Sequence, residues 1–172
     1  DVLAVSRLRV GVSPRHGGVA VFDNGVQRTL TTPDHTGSNV IEFSQSPEVL
    51  YGQNTETTEF GFRKMAVAPC GCITVATTQN LLGTGFGSDF RADNGLVYSV
   101  SGRVVDPEAR AIQGTFIIRD PNSFGFNATL VAPDSKAGRV YFVLDENNNT
   151  ILRVFDMKTF LKIGELQLPG VT

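Results

Sequence analysis

Apolar residues in this chain fall in short runs, cut by glycine, proline and acidic turn residues, and the same order of runs comes round four times. Val2-Leu3-Ala4, Val49-Leu50-Tyr51, Leu96-Val97-Tyr98 and Arg139-Val140-Tyr141 mark one point of each round. Ala4, Tyr51, Tyr98 and Tyr141 therefore stand 47, 47 and 43 residues apart. A period of this length, built from strand-sized runs and lacking the 3.6-residue pattern of amphipathic helices, predicts one four-stranded β-propeller blade per round. The expected fold is all-β, a β-propeller of about four blades.

The fourth round is the clearest. Ala128 to Pro133 predicts an inner strand. Arg139 to Leu144 follows, apolar on both faces, as a strand covered by neighbouring blades must be. Asp145 to Asn149 is a polar turn, and Ile151 to Phe155 a third strand stopped at Asp156. In the outermost strand, Leu161 to Leu168, Ile163, Leu166 and Leu168 are interspersed with Lys162, Glu165 and Gln167, as on a half-exposed edge. The third round repeats the plan over Ser88–Arg91, Gly95–Val100, Arg103–Val105 and Ala111–Ile118. The second runs over Val40–Phe43, Val49–Gly52, Glu59–Arg63 and Ile73–Val75. The first has only Val2–Val5, Val19–Phe22 and Gln27–Thr29, so its inner strand is missing. Asp23, Asp106 and Asp156 occupy the same place in their rounds, where a carboxylate caps the turn that follows. The blades are expected over about 1–32, 38–80, 86–120 and 126–169 of a single domain spanning 1–172.

Gly138-Arg139-Val140-Tyr141, Asn149-Thr150-Ile151, Val154-Phe155-Asp156 and Ile163-Gly164 resemble the bacterial surface-layer-type propeller repeat, the YVTN family. Asp93 to Tyr98, Gly102 to Pro107 and Gly114-Thr115-Phe116 are similar to the C-terminal blades of large exported bacterial repeat proteins. The likeness is strongest over residues 88–168 and departs at Phe142-Val143-Leu144, where the family has valine, threonine and asparagine. It implies a ring of seven or so blades. This chain would then be half of a larger ring, or one of two copies whose homodimer completes it, in an exported protein of the periplasm or cell surface.

Composition narrows the partners. Fifteen basic and 17 acidic residues leave a net charge of −2 with no basic block, which argues against nucleic acid. No apolar run approaches a membrane span. The two cysteines, Cys70 and Cys72, are too close to bridge without strain, and two small residues at a hairpin turn are expected there, with a redox-sensitive or metal-touching pair as the sharper alternative. His16 and His35, the latter beside Asp34, are read as solvated loop residues, with an acid/base or metal role as the sharper alternative. Asp145, Glu146 and Asn147 could offer oxygen ligands to calcium, but the turn lacks the central glycine and distant glutamate of a dedicated loop. Gly83 to Gly87 precedes a strand, so a connector is expected and not a phosphate cradle. Phe60, Phe62, Arg63 and Lys64 could form a small aromatic and basic patch. Glu42, Asp89 and Arg91 lie on inner strands, where a central channel would be lined. No catalytic residue is marked, which favours a binding scaffold over a lactonase- or dehydrogenase-type enzyme holding a metal or quinone.

Overall fold

The structure, a computed structural model, describes residues 1–35, 37–119 and 128–170. Residues 120 and 126–127, the expected ends of the third and fourth blades, lie outside the described residues. All regular structure among the described residues is β, arranged in four antiparallel sheets that follow chain order. The first has three strands, β1 (Val2–Leu8), β2 (His16–Asp23) and β3 (Val26–Gln27). The second has four, β4 (Val40–Phe43), β5 (Val49–Gln53), β6 (Gly61–Ala68) and β7 (Gly71–Gln79). The third comprises β8 (Phe90–Asp93), β9 (Leu96–Ser99), β10 (Arg103–Asp106) and β11 (Ala111–Thr115). The fourth comprises β12 (Leu130–Asp134), β13 (Arg139–Glu146), β14 (Asn149–Asp156) and β15 (Lys162–Leu168). Three complete meanders and one short by a strand is the count that the repeat predicts. Two compact units hold them, Asp1–Gly87 with the first two sheets, and one beginning at Ser88 with the others.

The turns are written locally. Asn24-Gly25 and Asn94-Gly95 both take positive φ, the conformation that joins two strands with matching twist. Asp106 Oδ1 accepts the Glu108 and Ala109 amides, and Asp156 Oδ1 accepts those of Lys158 and Thr159 together with the Thr159 hydroxyl. These bonds hold the Asp156 carboxyl below its ordinary range, with the Thr159 contacts contributing most. Asp23 departs from the expected cap. Both its oxygens are taken by Arg28 at 2.8 Å, because the tighter Asn24-Gly25 turn brings that guanidinium back over the strand end.

In the first unit, Val19, Ala20 and Val21 of β2 are fully buried, and Val19 and Val21 pack with Leu50, Met65 and Cys72 of the second sheet. In the second unit the core is aromatic. Phe116 meets Phe142, Phe155 and Phe160 with ring centroids 4.7–5.6 Å apart. Each such pair adds about 1 kcal/mol beyond the area it buries. Asp93, at the end of β8, accepts the Ser135 amide at 2.7 Å and its hydroxyl at 3.1 Å, which ties the β12–β13 turn to the third sheet.

Two glycines establish which strand the first sheet lacks. Gly18 and Gly102 both have φ +89°, and a Cβ on either would lie 2.4 Å from a carbonyl oxygen, of Thr32 in one sheet and Phe116 in the other. Gly102 leads into the third strand of its sheet, and Phe116 follows the fourth. Gly18 therefore makes β2 a third strand, β3 and the residues up to Thr32 a fourth, and β1 a second. Among the described residues, the strand without a counterpart in the first sheet is the innermost.

The glycine argument is testable in the second unit. Gly102→Ala adds a steric collision to an unfavourable φ and should lower stability by about 2–3 kcal/mol. Gly95→Ala, at φ +79° with open space around it, should cost only about 1 kcal/mol. Urea unfolding of both variants followed by circular dichroism measures the difference, and equal losses would remove the steric role of the Phe116 carbonyl.

Candidate functional site

One cluster of polar and charged residues in the first unit lies at the Ser6–Leu8 end of β1. A groove of about 640 Å³ is lined there by Ser6, Arg7 and Leu8 of β1, Asn39 and Val40 at the start of β4, Arg15, Thr55, Glu56, Phe86 and Gly87. Strand ends and the loops beside them supply all of these, as is usual for sites on a rigid β scaffold.

Glu56 organises the rim. Its carboxylate accepts the Arg15 amide at 2.9 Å and Nε at 2.8 Å, with Nη2 at 2.7 Å, a forked ion pair on a half-exposed arginine. The turn that presents Glu56 is held by Asn54, whose Oδ1 accepts the Glu56 and Thr57 amides at 3.1 Å. Asn54 Nδ2 donates to Glu59 at 2.8 Å, and Glu59 binds Arg63 at 2.9 Å. Burial pushes the Glu59 carboxyl up, but Asn54 and Arg63 together hold it below the usual range. Arg63 completes the chain by donating to the carbonyls of Gly37 and Gly61, both at 3.2 Å. Of the two readings of this segment, an aromatic and basic patch or packing within the blade, the phenylalanines follow the second. Phe60 and Phe62 are buried, Phe62 stacking on Tyr51 at 5.6 Å, and Arg63 is engaged on three sides.

His16 sits just beneath the groove and corrects the loop reading. It opens β2 and is 1% exposed. Its Nε2 accepts the Ser38 amide at 3.3 Å, so the ring proton lies on Nδ1, which faces Ser6 Oγ at 3.4 Å. Ser6 in turn donates to the Ser38 carbonyl at 2.5 Å. The hydroxyl proton thus points away from the imidazole, the reverse of a nucleophile activated by a base. Gly37 makes this packing possible, because a Cβ there would lie 2.2 Å from the ring. Burial first, and Arg63 second, lower the His16 pKa. The only sequence signal for this was the alternation His16, Gly18, Ala20, Phe22 running into the strand, which two glycines disguise.

The other sequence candidates are dispersed. His35 is exposed, meets His16 only through a backbone bond of 3.0 Å, and its neighbour Asp34 pairs with Arg9 at 2.9 Å. Cys70 is exposed in the β6–β7 turn. Cys72 lies in the core of the first unit, where burial pushes its thiol up to about 11. Gly83 to Gly87 is a connector that places Phe86, 66% exposed, against Phe60 at 5.3 Å. Glu42 lies on β4 opposite Tyr51. Asp89 and Arg91 pair with each other at 2.9 Å in the second unit.

In the Asp145–Asn147 turn, Glu146 is held by Arg119 at 3.3 Å and Arg153 at 2.7 Å, and all three are largely buried. Asp145 accepts the Thr150 hydroxyl at 3.0 Å, and Asn147 takes positive φ at the turn. Arg153 also reaches Glu165 at 2.8 Å. Among the described residues no three His, Cys, Asp or Glu side chains converge as a metal would need.

No protein family matches the sequence. No curated protein matches it either. Solved structures do. The hydrazine synthase of Kuenenia stuttgartiensis has 13% identity and a TM-score of 0.65 over 88% of this chain and 43% of its own. A structure described as a nidogen/laminin complex has 9% identity and a TM-score of 0.58 over 97% of this chain and 61% of its own. With the four meander sheets, these likenesses make the fold a β-propeller. This chain spans less than two thirds of either neighbour.

Two predictions follow from the charges. His16 is neutral in the fold and has a folded pKa below its unfolded value, so the unfolded chain binds the extra proton. Stability should be level above about pH 7 and fall as pH drops below about 6.5. Urea midpoints between pH 7.5 and 5 should show that slope in the parent and a flatter one in His16→Gln. For the second unit, Glu146→Gln leaves two guanidinium groups facing each other and should cost about 2 kcal/mol. Calcium should leave the thermal midpoint of the parent unchanged, because Glu146 is already engaged; calorimetry with calcium and with a chelator reads this.

Proposed function

We propose that this chain belongs to an exported bacterial propeller of the YVTN-like surface-layer type and serves as a non-catalytic binding scaffold at the cell surface or in the periplasm. One observation carries the reading: Ser6, His16, Glu56 and Glu59, the hydroxyl, imidazole and carboxylates at or beneath the groove, are each engaged with a partner inside the fold and none is set as an activated nucleophile or base. Ser6 gives its proton to a carbonyl, His16 is buried and neutral, and Glu56 and Glu59 are clamped by arginines. What remains outward is the Arg15–Glu56 fork and the exposed Phe86 ring. Arginine and an aromatic ring on a preorganised rim are the residue types that anchor binding partners. Pairing of two copies to complete a ring belongs to the same reading.

Three measurements test it. Fractionation of the source cells should find the protein in the periplasmic or surface fraction. Light scattering should give twice the 18.5 kDa of one chain. Lactone hydrolysis with calcium, zinc or manganese, and dye-linked sugar oxidation with a quinone cofactor, should stay at background. Turnover that disappears in Glu56→Gln would replace the scaffold reading by an enzymatic one.

A further inference from the structure

We propose that Asn148 carries an N-linked saccharide, attached as the chain is exported and before β13 pairs with β14. The inference rests on the exported reading and adds a covalent modification to it. Asn148-Asn149-Thr150 has the spacing of an N-glycosylation acceptor, an asparagine with a threonine hydroxyl two residues on and no proline between them. The sequence holds one other such triplet, Asn127-Ala128-Thr129, whose asparagine lies outside the described residues. A triplet of this kind serves as an acceptor only where its asparagine stands at the surface, and the hairpin puts Asn148 there.

β13 and β14 are joined by two residues, Asn147 and Asn148, with φ +51° and +62°. Such a turn needs positive φ at both places, which glycine adopts at least cost and asparagine tolerates. Asn24-Gly25 and Asn94-Gly95 join their strands in the same way, and both put glycine second, at φ +84° and +79°. Turn chemistry therefore accounts for Asn147 but would choose glycine over Asn148. The residue found there costs the hairpin stability and completes the acceptor. All three asparagines of the segment are exposed. Asn149 is held, its Nδ2 donating to the Asn147 carbonyl at 3.1 Å and its Oδ1 accepting Gln167 Nε2 at 2.6 Å. The Asn148 amide has no partner among the described residues.

The second substrate is a saccharide carried on a lipid pyrophosphate. Asn148 Nδ2 bonds to the anomeric carbon, and the carbon–oxygen bond to the pyrophosphate breaks. The lipid pyrophosphate leaves with the electron pair, and the amide releases one proton to solvent. Once the hairpin has folded, this reaction is blocked. Thr150 stands opposite Asp145 in the ladder, is 9% exposed, and donates its hydroxyl to Asp145 Oδ1 at 3.0 Å. The hydroxyl that makes the triplet an acceptor is thereby withheld, which places attachment ahead of strand pairing. The attached saccharide remains compatible with the fold, because it extends from an exposed turn.

Trypsin cuts after Arg139 and Arg153 and frees residues 140–153 as one peptide. In the chain isolated from the exported fraction of its source cells, this peptide should be heavier by whole sugar residues, and electron-transfer fragmentation should place them on Asn148. Thr150→Ser keeps the hydroxyl and should keep the modification, whereas Thr150→Val should lose it with Asn148 untouched. Asn148→Gly should lose it too, and because it copies the sister turns it should melt no lower than the unmodified parent. Chain made without export, folded and then mixed with membranes of the source cells should stay unmodified. An unmodified peptide from the exported chain, a saccharide on Asn127 with none on Asn148, or retention of it in Thr150→Val would overturn the proposal. Modification of the folded chain by those membranes would overturn it as well. Recovery of the chain inside the cell would remove the exported reading and the proposal with it, a failure seen in the fractionation and not in the peptide.

Discussion

A strand buried on both faces must find partners for its backbone on both edges, and the whole architecture answers to that requirement. Water cannot reach Val97, Val140 or Leu50. Each backbone amide and carbonyl around them is therefore satisfied by a neighbouring strand or left at a cost of several kcal/mol. The meander meets this need with the shortest connections available, and a fourth strand closes each sheet with an exposed outer edge such as β15. Among the described residues, β1 is the one second strand with a strand partner on a single edge. Leu3 and Leu8 of β1 are exposed, and the groove lies beside the end of that strand.

Polar groups follow the same logic of satisfaction inside the fold. His16, Ser6 and Ser38 form a closed set of donors and acceptors, and Gly37 supplies the room for the ring. Glu146 balances Arg119 and Arg153 within the second unit. Buried charges of this kind contribute little when exchanged for apolar groups but cost much when one partner is lost, so they act as specificity devices more than as sources of stability. The groups that stay outward, Arg15, Glu56 and Phe86, stand on turns anchored by Asn54 and by the Gly87 amide bonded to Thr55. Rigid support beneath an exposed arginine and aromatic ring fixes where both side chains stand.

The strands and their order were legible in the sequence because each depends on a short window. Val40–Phe43 came out with the bounds expected, and the others shifted by a few residues at their ends. The caps at Asp106 and Asp156 were legible for the same reason, since donor and acceptor lie within three residues. The missing inner strand of the first round could be counted from the repeat alone, and the matched collisions at Gly18 and Gly102 support that count independently.

Tertiary structure decided the rest, wherever partners come from far along the chain. His16 looked like a loop residue because its burial depends on Gly37 and Ser38, which join it only once the return segment lies along β2. Asp23 looked like a cap, but Arg28 reaches both its oxygens. Glu146, read from the sequence as part of a polar turn with calcium ligation as the alternative, binds Arg119, 27 residues away, and Arg153. Hydrophobic periodicity and turn chemistry are local and survive in a one-dimensional reading. Which charge meets which is settled only when the sheets pack, because those pairings are chosen by the burial of their surroundings.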